Sequence, residues 1–127
     1  LRRHVGETEA RVHPTIGADP LRDVIAPHNF IATGSQIFRR TWLERVNGFV
    51  ETYQLLEDVD LLIRLVIAGG RLIDAPTDAP LFWYRRHPPS ASRGSRLAFA
   101  HAAVRNAQTV EAQWRSATGG AVSRARG

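Results

Sequence analysis

Cysteine is absent from all 127 residues, which excludes disulfides, thiolate chemistry and Cys-based metal sites. Lysine is absent too, so the 17 basic residues are all arginine. A composition bias of the source explains this more simply than a selected use of arginine geometry. No run of about 18 apolar residues occurs, so no transmembrane helix is expected. The opening stretch "LRRHVGETEARVHP" lacks the apolar segment of a signal peptide. It starts with Leu1 rather than Met. That suggests a chain beginning inside a longer protein, although processing or an alternative start codon gives the same result. No internal repeat is visible.

What is present describes one globular domain. Apolar residues make up 43% and charged residues 23% of the chain, a balance that supports a single packed core. The net charge of +5 is unevenly spread. Residues 1–12 and 84–127 are Arg-rich, whereas residues 51–60 are acidic. Arginine clusters suit the phosphates of nucleic acid, a lipid surface or a nucleotide. A solvated surface with a basic tail is the plainer alternative.

Along the chain, residues 1–28 form a loop-rich lead-in with room for one helical turn. Residues 29–40, "NFIATGSQIFRR", carry the composition of a strand bent at Gly34-Ser35. Thr41 and Glu44 have the spacing of a capping box for a short helix over 42–46, stopped by Asn47-Gly48. A second helix is expected from Glu57 to Ala68, with Val59, Leu62, Ile63, Val66 and Ile67 on one face, ending at Gly69-Gly70. Two short strands follow, "RLIDAP" and "PLFWYRR" over 80–86, then a loop. Residues 95–117 read as a helix of about twenty residues, within a terminal segment 93–117. Leu97, Ala98, Ala102, Val104, Ala107 and Val110 are available for its buried side. Residues 118–127 form a small, polar, basic tail.

Three acids interrupt the apolar run "LLEDVDLLIRL". Asp60 and Arg64 are four residues apart and can pair across one helical turn, an arrangement worth a few tenths of a kcal/mol on a helix surface. Glu57 lies on the same side as Arg64. Asp58 instead shares its side with Leu61, Leu62 and Leu65. It falls in the first turn, where free backbone N–H groups and the helix dipole favour a carboxylate. Two roles remain open: all three acids serve the helix start, or Asp58 is a general base beside a cleft.

Residues 34–92 supply an ordered set of motifs. Gly34-Ser35 precedes Phe38-Arg39-Arg40, and Asn47-Gly48-Phe49-Val50-Glu51 follows. Glu57-Asp58-Val59-Asp60-Leu61 comes next, with Arg64 and Gly69, and then Tyr84-Arg85-Arg86-His87 with Ser90 and Ser92. With these gaps, residues 29–92 resemble the acceptor-side, C-terminal half of family-two glycosyltransferases of the GT-A fold. Asn47 and Val50 depart from the family's turn, outside its catalytic motif. The resemblance implies an α/β fold, a mixed sheet with flanking helices. It implies an inverting transfer from a nucleotide-diphospho-sugar to an acceptor hydroxyl, as in cell-envelope polysaccharide synthesis. Asp58 would be the general base and Glu57 would orient the acceptor or the helix start. Gly34, Ser35, Arg39, Arg86 and His87 would contact substrate, and His87 could also approach the metal. Arg85 would add charge near the diphosphate, but on a regular strand Arg85 and Arg86 face opposite ways, so only one can do so. Phe82, Trp83 and Tyr84 suit core packing better than sugar stacking, and Trp42 suits the core or an acceptor contact.

The same family binds its nucleotide with an N-terminal Rossmann-like half and holds Mg²⁺ or Mn²⁺ on a D-x-D motif. No D-x-D precedes residue 29, and no Gly-rich phosphate loop occurs. The one D-x-D, Asp58-Val59-Asp60, lies on the expected helix, where side chains two positions apart point about 200° apart. The chain therefore reads as a fragment that is inactive alone. Its expected setting is the cytoplasm, with peripheral attachment to the inner face of a membrane also open. The alternatives are a small Arg-rich module binding anions or nucleic acid, and a structural remnant without function. No helix-turn-helix, RNP or KH signature supports specific nucleic-acid recognition.

Overall fold

The computed structural model describes residues 2–4, 7–9, 14–26, 29, 31–75, 77, 79, 81–83 and 95–117. Its elements are a hairpin of β1 (Arg2–His4) and β2 (Glu7–Glu9), then helices α1 (Pro20–Ile25), α2 (Arg40–Arg45), α3 (Glu57–Ile67) and α4 (Arg96–Ala117). A 3-10 turn, Thr33–Ser35, lies between α1 and α2. The hairpin is antiparallel, with Arg3 opposite Thr8.

The expected mixed α/β sheet is not found. The only sheet among the described residues is the two-stranded hairpin, and none of the three segments expected as strands belongs to it. In the first, local hydrogen bonds take over the backbone. The Ser35 N–H donates to the Ala32 carbonyl at 2.9 Å and the Gln36 N–H to the Thr33 carbonyl at 3.2 Å. The side chains of Ser35 and Gln36 donate to the carbonyls of Ala32 and Ile31 at 2.7 and 3.1 Å. Local backbone and side-chain bonds, that of the Ser35 hydroxyl among them, thus close a turn where the β-rich composition suggested a ladder. Residues 71–75 and 81–83 have no regular structure. Leu72 packs against the core while Ile73 is 76% exposed. The residues suit a strand, but among the described residues no neighbouring strand satisfies their backbone.

The helices follow their sequence signals more closely. Pro20 opens α1, and the Asp19 carboxylate accepts from the Arg22 N–H at 3.1 Å, the usual N-terminal pairing of a cap with an early proline. Helix α2 begins at Arg40, two residues before the expected start. Thr41 therefore lies inside the helix, and Arg39 precedes it without a side-chain cap. The C-terminal stops behave as expected. Asn47 adopts φ 59°, and the Gly48 N–H reaches back to the Leu43 carbonyl at 2.8 Å. Gly69 adopts φ 91°, and the Gly70 N–H donates to the Leu65 carbonyl at 2.8 Å. Both ends are Schellman motifs, which use a left-handed residue to satisfy the last carbonyls.

Helix α3 is central. Leu61 and Ile63 are fully buried, and Leu62 and Leu65 nearly so. Val24 of α1 packs with Leu62 and Ile63, and Phe38, Ile31, Leu72 and Val110 close around them. The single apolar face expected for α3 is too narrow, because neighbours cover it on several sides. On α4 the residues expected inside are divided. Ala102 is buried, but Leu97 is 64% and Val104 56% exposed, while Asn106 is buried in their place. No helix among the described residues is long and apolar enough to cross a membrane.

Asp60 is 1% exposed. Its carboxylate accepts from Arg64 Nε at 2.8 Å, and Arg64 Nη1 continues to the Val46 carbonyl at 2.6 Å. The expected pair forms, but as a buried link between α3 and the end of α2 rather than as a surface pair. Removing one partner of a buried pair strands the other charge. Asp60→Ala should therefore lower stability by about 3–5 kcal/mol rather than a few tenths, as read from the urea midpoint of the folded chain.

Candidate functional site

Asp58 occupies the second position of α3, half-buried. Its Oδ1 accepts from the Val59 N–H at 2.8 Å. Its Oδ2 accepts from the Thr33 hydroxyl at 2.6 Å, a short, charge-assisted bond. The carboxylate therefore faces the Thr33–Ser35 turn. Gly34 and Ser35 lie on the exposed side of that turn.

Phe82 completes the surroundings. A Cβ placed on Gly34 would lie 2.3 Å from Phe82 Cε2, so the ring rests directly on the glycine. Phe82 is 40% and Trp83 73% exposed. The expectation that these aromatics pack the core is thus corrected. Among the described residues no strand pairs with this segment to carry them inward; one covers the turn beside Asp58 and the other faces solvent. Trp42 is half-buried, and its ring edge lies against Gly70 while Arg45 sits over its face at 5.1 Å.

Of the other expected site residues, Glu57 is half-buried at the first position of α3. Arg39 stands exposed at the entry to α2. Arg86 and His87 lie outside the described residues, as do Arg85, Tyr84, Ser90 and Ser92. The structure therefore joins Asp58 to the Gly34-Ser35 turn. Thr33, the side chain that makes this junction, was overlooked in the sequence. It adjoins Gly34, but nothing local marks it as a partner for an acid 25 positions away.

The start of α3 is itself unusual. Leu56, just before the helix, adopts φ 56° and ψ 27° and offers no side-chain cap. A left-handed conformation is uncommon for a bulky residue. Two side chains of α4 hold the carbonyls there. Arg105 Nη2 donates to Leu55 at 2.8 Å, and Asn106 Nδ2 donates to Leu56 at 3.1 Å. The Arg105 guanidinium also lies over the Tyr53 ring at 3.5 Å. Asn106 was not singled out in the sequence. The available signal was a polar residue aligned with Ala102 and Val110 on one side of α4.

Mg²⁺ or Mn²⁺, which the resemblance implies, does not fit the described residues. No group of three or more His, Asp or Glu residues among them could hold a metal ion. Asp60 is committed to Arg64 and Asp58 to Thr33, so the acids of the D-x-D diverge. An open groove of about 360 Å³ is lined by Thr52, Gln54, Leu55, His101 and Arg105, among others. Asp58 does not line it, so the groove is not where this carboxylate would act.

The chain matches no family model, no curated protein and no solved structure.

The Thr33–Asp58 bond can be weighed by substitution. Thr33→Val keeps the shape and removes the hydroxyl. At this solvent-accessible position the loss should be about 0.5–1.5 kcal/mol. The Asp58 carboxyl ¹³C resonance should shift, while Arg64 and the core methyl resonances stay in place.

Proposed function

We propose that this chain supplies the acceptor side of an inverting sugar transferase, with Asp58 as general base. One observation carries the reading. The Gly34-Ser35 motif and the Glu57-Asp58 start of α3 are far apart in the chain, yet Thr33, the neighbour of Gly34, meets Asp58, 25 residues on, through a 2.6 Å bond. A carboxylate that only decorates a helix start has no need of a second motif against it.

The chemistry follows from the donor inventory. Each oxygen of Asp58 already accepts one hydrogen bond and keeps a further lone pair for a substrate hydroxyl. Thr33 fixes the carboxylate plane, so the free lone pairs have a defined direction. In the proposed step the acceptor O–H proton passes to Asp58. The acceptor oxygen bonds to the anomeric carbon as that carbon's bond to the diphosphate oxygen breaks. The electron pair leaves with the nucleoside diphosphate, and the configuration inverts. The half-exposed Phe82 ring offers an apolar surface beside this position, suited to one face of a sugar ring. Glu57, next to the base, would hold another acceptor hydroxyl.

Donor binding belongs to a nucleotide-binding half, for which this chain has no phosphate loop. The proposed cellular setting is the cytoplasm, where nucleotide-activated sugars are the donors, with the Arg-rich ends available to an anionic membrane surface.

The test uses a polypeptide that joins this chain to a nucleotide-binding half, assayed with a saturating nucleotide-sugar. Asp58→Asn keeps size and hydrogen bonding but removes the base. It should lower turnover by about 10²–10⁴ while the acceptor KM and the melting temperature hold. Turnover near that of the unaltered protein would remove Asp58 from the reaction.

A further inference from the structure

The entry to α3 is the one place among the described residues where a bulky side chain sits at positive φ and two side chains of another helix converge on its carbonyls. Asn106 is 4% exposed. Its Oδ1 accepts from Arg105 Nε and Nη2 at 3.2 and 3.0 Å, and its Nδ2 donates to the Leu56 carbonyl. Arg105 holds the adjoining Leu55 carbonyl and is itself braced on Tyr53. The Leu56 carbonyl also accepts the first bond of α3, from the Asp60 N–H at 3.0 Å. One carbonyl thus joins the buried Asn106 to the turn that carries Asp58.

We propose that Asn106 and Arg105 are positioning residues for Asp58. By holding the Leu55 and Leu56 carbonyls, they keep Leu56 left-handed. That conformation sets the direction in which the first turn of α3 leaves the loop, and so aims the Asp58 carboxylate at Thr33. Strain of this kind costs about 1–3 kcal/mol and persists only where the surroundings over-determine it. Here the surroundings are two hydrogen bonds that start 50 residues away in the chain. The catalytic meaning of this clamp rests on the base role proposed above. The clamp itself is read from the geometry alone.

Asn106→Asp tests it in the full chain. The variant keeps shape and gains a charge pair with Arg105, which favours folding, but it loses the donor to Leu56. Exchange of the Asp60 amide hydrogen should quicken by about tenfold or more. Core amides such as Ile63 should change little, and the Asp58 carboxyl ¹³C resonance should shift. Leu56→Asn supplies a residue that tolerates positive φ. In that background Asn106→Asp should have a much smaller effect, about twofold or less, which is the coupling expected of a shared constraint. If Asn106→Asp alone does not fold, the double variant decides, and a folded protein with a protected Asp60 amide is the expected result. Unaltered Asp60 exchange, an equal effect in both backgrounds, or an unfolded double variant would overturn the clamp. In the joined polypeptide, positioning should appear as a lower kcat with KM retained. The exchange readings use no transfer activity. Failure of the base role in Asp58→Asn and failure of the clamp are therefore separate results.

Discussion

The buried link from Asp60 through Arg64 to the Val46 carbonyl is the constraint on which the rest of this fold depends. It takes two charges out of water inside a helix that is apolar on most sides. Such a pair is retained only when the geometry is good and the remaining donors find partners. Arg64 meets that condition in part: Nη1 reaches 18 residues back to the Val46 carbonyl, while the buried Nη2 has no hydrogen-bond partner among the described residues. One side chain therefore neutralises the core acid and holds a carbonyl at the end of the neighbouring helix. The relation between α2 and α3 follows from it, and α1 and α4 pack against a helix whose place is already set.

The two ends of α3 are secured differently. The C-terminal end is local: Gly69 takes the left-handed position at no steric cost, and the Schellman bonds close over it. The N-terminal end is not. Leu56 takes a left-handed position without the advantage of glycine, and it is held by residues from a distant helix. Strain at the entry and ease at the exit put the defined, costly geometry next to Asp58. Sites that must hold a carboxylate in one direction are where such a distribution is expected.

Part of the candidate site was legible in the sequence. An acid in the first turn of an apolar helix is hard to place in solvent, and Asp58 stood out for that reason. Gly34-Ser35 was marked by the interruption it makes in a β-rich stretch, although what it interrupts is not a strand. Thr33 and Asn106 were not legible, because their roles are defined by partners 25 and 50 residues away. Phe82 was misplaced for a related reason. An aromatic residue goes inside only if a neighbouring layer covers it, and in this structure it covers Gly34 instead.

By itself the sequence determined α3 and α4 and the stops of α2 and α3: Asn47-Gly48, the apolar run of α3, Gly69-Gly70 and the length of α4, whereas α1 falls in a stretch that reads as loop with room for one helical turn. These signals work because helical hydrogen bonds and caps lie within a few residues of one another. It also determined the Asp60–Arg64 pairing, which is one helical turn. Tertiary structure alone decided that this pair is buried, that Leu56 is left-handed, and that Asp58 faces Thr33. It also decided that residues 31–40, 71–75 and 81–83 of the β-rich segments are not strands. A strand's backbone bonds belong to a neighbour at any distance along the chain. Where no neighbour pairs with it, local hydrogen bonds such as those of Ser35 and Gln36 close the backbone into a turn.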